Sequence, residues 1–110
     1  MKINIKPLSI NKAWQGKRYR SKDYKNYQEA MELLLKNKNI ELPKPPLYIK
    51  YIFAFSNSTS DIDNPIKPFQ DILCKRYNFD DREIYKIEVE KKIVKKGNEY
   101  IEFEIKEIIK

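Results

Sequence analysis

Asp61 and Asp63 stand one residue apart, followed at once by Asn64 and Pro65, then by Lys67, and later by the adjacent pair Asp80 and Asp81. Clustered carboxylates with one lysine suit oxygen ligation of a hard divalent cation such as Mg²⁺. Inventory closes most other chemistries. The chain has no histidine and one cysteine, Cys74, which removes imidazole bases, Ser-His and Cys-His pairs, and zinc sites built on His or several Cys. With 23 Lys+Arg against 16 Asp+Glu and a net charge of +7, the anion most readily brought to such a cation is a phosphate backbone.

The same residues also fit plainer roles. Asp-x-Asp-Asn before a helix is what a capping turn looks like, and a basic balance serves solubility by itself. Asp71 lies four residues after Lys67 and can form an ordinary exposed ion pair worth under ~0.5 kcal/mol. Two arguments favour chemistry. Carboxylates converging to ~4 Å in a partly desolvated site repel by several kcal/mol, so convergence asks for a cation. Lys67 stands about one turn into an expected helix, near the positive end of its dipole, where acids are preferred. A role as phosphate ligand or transition-state stabiliser explains a lysine there better than helix stability does.

The elements that must position these groups can be read from hydrophobic period. Ile3 and Ile5 alternate with polar residues and Pro7 closes a short strand. The basic, aromatic-containing stretch from Ser9 to Arg20 reads as an ordered loop. Ser21 is a candidate cap for a first helix whose inner face is Tyr24, Tyr27, Met31, Leu34 and Leu35. A proline-containing connector follows from Asn37 to Pro46. Leu47 to Phe55, almost continuously apolar and aromatic, reads as a central strand buried on both faces. The acidic pair sits where that strand ends. In extended backbone, residues i and i+2 project to one side, so both carboxylates would face one ion. Asn64 can cap a second helix with Pro65 at its first position, and Pro68 is tolerable only in the first turn. Ile66, Phe69, Ile72, Leu73 and Tyr77 would form its core face, with Lys67, Gln70, Asp71 and Lys75 pointing elsewhere. Ile84 to Val94 and Ile101 to Lys106 alternate in strand fashion around Lys96-Gly97-Asn98, which predicts a β-hairpin.

The expected class is therefore α/β (α+β), a single small domain over residues 1–110 in the order β-α-β-α-β-β, with two helices packed on a mixed sheet. A chain of 110 residues buries roughly two-thirds of its unfolded surface and folds unaided. One cysteine cannot form an internal disulfide, no apolar run reaches membrane-spanning length, and the N-terminus lacks a signal-peptide core. A cytoplasmic protein with no membrane partner and no nucleotide cofactor is expected.

The chain resembles the RusA-type Holliday-junction resolvases, a family of small metal-dependent endodeoxyribonucleases, over nearly its whole length. The resemblance is carried by Pro7-x-Ser9-x-Asn11 with Trp14 following, by the basic stretch and first helix, and by Asp61-Ile62-Asp63-Asn64-x-x-Lys67-x-x-x-Asp71. It continues through Asp80-Asp81-x-x-Ile84. It implies that Asp61, Asp63 and Asp81 bind a catalytic Mg²⁺, with Mn²⁺ as a substitute, and that Lys67 assists at the phosphate. Asp80 and Asp71 match secondary acidic positions. Where family members can carry an arginine run before the acidic pair, this chain has Ser56-Asn57-Ser58-Thr59-Ser60. DNA contact is therefore expected from Lys17, Arg18, Arg20 and Lys22, with Asn11 and Trp14 beside them.

The expected activity is resolution of four-way DNA junctions by paired symmetric nicks. Two cuts need two sites, hence a homodimer with a two-fold axis matched to the junction. The competing readings are a non-catalytic basic DNA-binding protein and a metal nuclease acting on forks, flaps or RNA.

Overall fold

Leu47–Phe55 forms the strand around which everything else is arranged. The computed structural model describes residues 1–8, 14–15, 19–20 and 22–108, with side chains for 1–8 and 22–108. Three short strands, β1 (Lys2–Ile3) and a pair β2 (Trp14–Gln15) and β3 (Tyr19–Arg20), come first among the described residues, followed by α1 (Lys22–Leu35). Then come β4 (Leu47–Phe55), α2 (Ile66–Tyr77), a 3₁₀ turn over Asp81–Glu83, β5 (Ile84–Ile93) and β6 (Tyr100–Glu107). The main sheet runs β1-β6-β4-β5. The α/β (α+β) class holds: a small domain of two helices on a four-stranded mixed sheet.

β4 pairs in parallel with β5, from Tyr48 opposite Lys86 to Phe55 opposite Ile93, and antiparallel with β6, from Leu47 opposite Glu107 to Ala54 opposite Tyr100. A parallel neighbour requires a crossover, and α2 supplies it. The expected hairpin is overturned, because β4 lies between β5 and β6. The apolar β4 gains ladder partners on both edges, and Phe53, Tyr51 and Ile49 stand opposite Ile101, Phe103 and Ile105 of β6. The turn chemistry survives in a longer link across the end of β4. There the Val94 amide donates to the Phe55 carbonyl at 2.7 Å, and Gly97 takes a φ of +95°.

Both helices pack on one face of the sheet. Tyr24, Tyr27, Met31 and Leu35 of α1 meet Phe69 and Leu73 of α2 over Ile49, Tyr51 and Phe53. Leu34, expected on that inner face, is 38 % exposed. β4 is fully buried along one face, Leu47, Ile49, Tyr51, Phe53 and Phe55, whereas on the other Tyr48, Lys50 and Ile52 are half-buried and only Ala54 is fully buried. The continuous apolar run reflects long charged neighbours on the open face. Lys86 reaches over the Tyr48 ring at 5.8 Å, and such stems cover apolar surface while their heads stay wet.

Of the stretch expected as a loop, the described part forms the β2–β3 ladder, with Trp14 opposite Arg20. The proposed Ser21 cap lies outside the described residues. At α2 the sequence reading was one residue early. Pro65 is the N-cap, without a side-chain cap, and Asn64 Nδ2 instead donates to Asp61 Oδ2 at 3.3 Å. Pro68 falls in the first turn, where its missing donor costs nothing.

Arg76 ties the helices together. Its guanidinium donates to the Leu35 carbonyl at 3.2 Å, the Lys38 carbonyl at 3.4 Å and Asn39 Oδ1 at 3.0 Å, adding to the Lys38 amide on the first and the Tyr77 hydroxyl on the second. Arg76→Ala is therefore expected to lower unfolding free energy by roughly 1–3 kcal/mol, read as a shift in urea midpoint at unchanged slope. An unchanged midpoint would mean that the Lys38 amide, the Tyr77 hydroxyl and water serve those carbonyls equally well.

Candidate active site

One face of α2 and the turn after it converge on a single carboxylate. Lys67, Gln70, Asp71 and Cys74 follow the i, i+3, i+4, i+7 spacing that lines up side chains on a helix. α2 ends on Asn78, which adopts a left-handed conformation with φ 57°. Its backbone N–H and that of Phe79 both return to the Cys74 carbonyl. Asparagine is one of the few residues that tolerates this geometry. With Phe79 buried as an anchor, the chain reverses and lays Asp81 against that face of α2.

Three donors then meet at Asp81. Lys67 Nζ donates to Oδ2 at 3.0 Å, while Gln70 Nε2 at 3.1 Å and Cys74 Sγ at 3.2 Å both reach Oδ1. Lys67 also pairs with Asp71 Oδ1 at 2.9 Å, so its ammonium bridges two carboxylates. Partial burial pushes the Asp81 carboxyl up, but the hydrogen bonds from Lys67, Cys74 and Gln70 outweigh it and hold the group below its usual value. Lys67 is raised, first by its hydrogen bond to Asp71 and then by that to Asp81. Burial, reinforced by the bond to Asp81, pushes the Cys74 thiol up to about 12.

The thiol is thus a neutral donor and not a nucleophile, because thiolate is the reactive form. At pH 8, iodoacetamide should modify Cys74 at least about 100-fold more slowly than it modifies an ordinary cysteine of pKa near 8.5. Mass spectrometry against a glutathione standard checks this, and alkylation at the rate of the standard would contradict the arrangement.

Asp61 and Asp63 lie in the exposed loop between β4 and α2, outside any strand, with a bend at Ile62 and Asp63. The i, i+2 argument for their common projection therefore lacks its premise. The loop itself is held. Asn57 Oδ1 accepts from the amides and hydroxyls of Thr59 and Ser60 at 2.9–3.2 Å. Lys91 of β5 reaches across to the carbonyls of Ser58, at 3.0 Å, and Ser60. The Asp63 carbonyl accepts from the Ile66 amide at 3.2 Å, while its carboxylate has no hydrogen bond or ion pair among the described residues. Asp63 is thus not a side-chain cap.

Asp80 has a structural task. It caps the 3₁₀ turn by accepting from the Arg82 amide at 2.9 Å, and Glu83 returns the bond to the Asp80 amide at 2.9 Å. Of the expected DNA-contacting residues, Asn11, Lys17 and Arg18 lie outside the described residues. Trp14 and Arg20 sit in the β2–β3 ladder, and Lys22 is exposed at the start of α1.

Two participants escaped the sequence reading. Gln70, expected to point away from the core, is only 8 % exposed; its signal is its place beside Phe69 on the core edge of α2. Lys91 shares the parity of Ile87 and Val89 in β5 and is half-buried, where a cation asks for a partner.

The donor chemistry fits a hard cation. Asp61, Asp63, Asp71 and Asp81 offer only oxygen, and the one nearby thiol is held protonated. Their spacing is not that of a loaded site. Among the described residues no three His, Cys, Asp or Glu side chains are grouped to hold one ion, and the ammonium of Lys67 supplies the positive charge beside Asp81. Among the described residues no helix is long and apolar enough to cross a membrane.

No curated protein matches the chain. The family model described as endodeoxyribonuclease RusA matches residues 6–106, which spans the acidic loop, α2, Asp81 and nearly all of the sheet. The chain belongs to the RusA endodeoxyribonuclease family.

Proposed function

We propose that this protein is a Mg²⁺-dependent endodeoxyribonuclease that resolves four-way (Holliday) DNA junctions by paired symmetric nicks, acting in the cytoplasm as a homodimer. The whole of residues 1–110 would form its single catalytic domain. The observation that carries the reading is the Lys67–Asp81 pair in its setting. An exposed ammonium and a carboxylate 14 positions apart in sequence are brought to 3.0 Å at the C-terminal side of a loop that carries Asp61 and Asp63, both exposed.

Asp61, Asp63 and Asp81 would hold the ion. When bound, Mg²⁺ supplies Lewis-acid stabilisation of the scissile phosphate and a water of lowered pKa. The chain's own groups do the rest. Lys67, released from Asp81, would donate to a non-bridging phosphate oxygen where charge grows in the transition state. Asp71, one helical turn along, holds the ammonium in reach. The basic stretch including Lys17, Arg18, Arg20 and Lys22 would carry phosphate contacts, with Asn11 and Trp14 beside it.

Two cuts across one junction require two copies, since each chain has one such constellation. Sedimentation at micromolar concentration with junction bound should return a dimer, and a monomer would refute this assembly. Comparing cleavage of a four-way junction, a fork, an RNA duplex and a linear DNA duplex, with Mg²⁺ and with chelator, tests the activity. Selective nicking of the junction in Mg²⁺ is expected. Equal cutting of the fork or of RNA would support the broader nuclease reading, and binding without any cutting would support the non-catalytic one.

A further inference from the structure

Tyr51 lies in the middle of β4 and is wholly buried, yet its hydroxyl is not idle. It donates to Gln70 Oε1 at 2.8 Å, and Gln70 Nε2 donates in turn to Asp81 Oδ1 at 3.1 Å. A phenol and an amide are thus placed at the seam of sheet and helix, where a Phe and a Met would fill the same volume without any polar group to satisfy. Burying such groups costs free energy unless every one is paired. Here the pairing runs in one direction and ends at Asp81.

The direction is forced. A carboxylate can only accept, so the amide must turn its NH₂ toward Asp81, which leaves its carbonyl oxygen for the phenol proton. If the amide turned over, its oxygen would face the carboxylate. Tyr51 therefore fixes which way Gln70 points, and Gln70, with the Cys74 thiol beside it, holds Oδ1 of Asp81 against the core. The other oxygen, Oδ2, faces Lys67 on the exposed side.

We propose that Gln70, oriented by the Tyr51 hydroxyl, is the positioning residue that aims Asp81 Oδ2 at the cation site. The inference rests on the reading of Asp81 as a metal ligand. Partners that orient a metal ligand through its outer atoms commonly contribute about 10–100-fold in metal affinity. Gln70 carries no charge, so its removal does not alter the net electrostatics of the acidic cluster.

Mn²⁺ binding to the full chain without DNA, followed by the electron paramagnetic resonance signal of the free ion, tests this. Melting is measured in chelator on the same preparations. The variants are Asp81→Asn, Gln70→Met, Tyr51→Phe and the Gln70→Met/Tyr51→Phe double. Gln70→Met is expected to weaken Mn²⁺ binding about 10-fold or more, and Tyr51→Phe by less, since the amide remains but can turn over. The double should bind no more weakly than Gln70→Met, because Tyr51 acts through Gln70 alone.

Loss of affinity in Asp81→Asn with parental affinity in both Gln70→Met and Tyr51→Phe would overturn the positioning role. So would losses that multiply in the double variant. If Gln70→Met fails to fold, Tyr51→Phe, which removes a single oxygen, carries the test by itself: parental Mn²⁺ affinity in it would overturn the proposal. Parental affinity in Asp81→Asn would instead remove the metal-ligand reading, and the inference with it.

Discussion

Asp63→Asn should reduce Mg²⁺-dependent cleavage on the order of 1,000-fold, because a bound Lewis acid is worth several kcal/mol of transition-state stabilisation. The metal-free protein should be no less stable than the parent. The Asp63 carboxylate makes no hydrogen bond or ion pair with another described residue, and its backbone carbonyl, which receives the Ile66 amide, is retained in Asn. Removing one charge from an acidic surface relieves repulsion if it changes anything. Junction binding in chelator should persist or tighten, with one negative charge fewer facing the phosphates. Melting temperature in chelator, junction affinity in chelator and cleavage in Mg²⁺ on one preparation separate the outcomes. Full cleavage by the variant would remove Asp63 from the ligand set.

Lys67→Ala should slow cleavage about 100-fold or more, the usual consequence of removing a well-placed donor to developing charge. Its stability should change little. The Lys67 side chain is 52 % exposed, and exposed ion pairs contribute about 0–1 kcal/mol. Asp81 also keeps its donors from Gln70 and Cys74. The effect should fall on kcat and not on junction affinity, because the residue is assigned to charge that appears during reaction. Single-turnover cleavage with saturating protein isolates that step. A parental rate would leave Lys67 as a surface lysine pairing with Asp71 and Asp81.

Both variants touch groups whose residue types were legible in the sequence while their arrangement was not. Helical period correctly placed Tyr24, Tyr27, Met31 and Leu35 on one inner face, and Phe69 and Leu73 on another. Both are local patterns written within a few turns. Strand alternation gave Ile101 and Phe103 their inward face, but alternation says which side a residue takes and not which strand lies beside it. That is why β4 could separate β5 from β6 without altering either pattern.

Lys67 meets Asp81 only because Asn78 turns the chain back, and its left-handed conformation is written in a single residue type. Gln70 departs from its expected outward place because residue type is a poor guide to exposure where partners are at hand. A buried amide is permitted wherever both its ends are paired, and its partners, Tyr51 and Asp81, come from elements 19 and 11 positions away.

The central claim is metal-dependent, symmetric cutting of a junction. It is tested most directly by end-labelling each strand of a mobile four-way junction and mapping the cuts with Mg²⁺ and with chelator. Nicks are expected in Mg²⁺ alone, paired at symmetric positions on two opposing strands. Cutting that continues in chelator, or cuts falling independently on all strands, would contradict it.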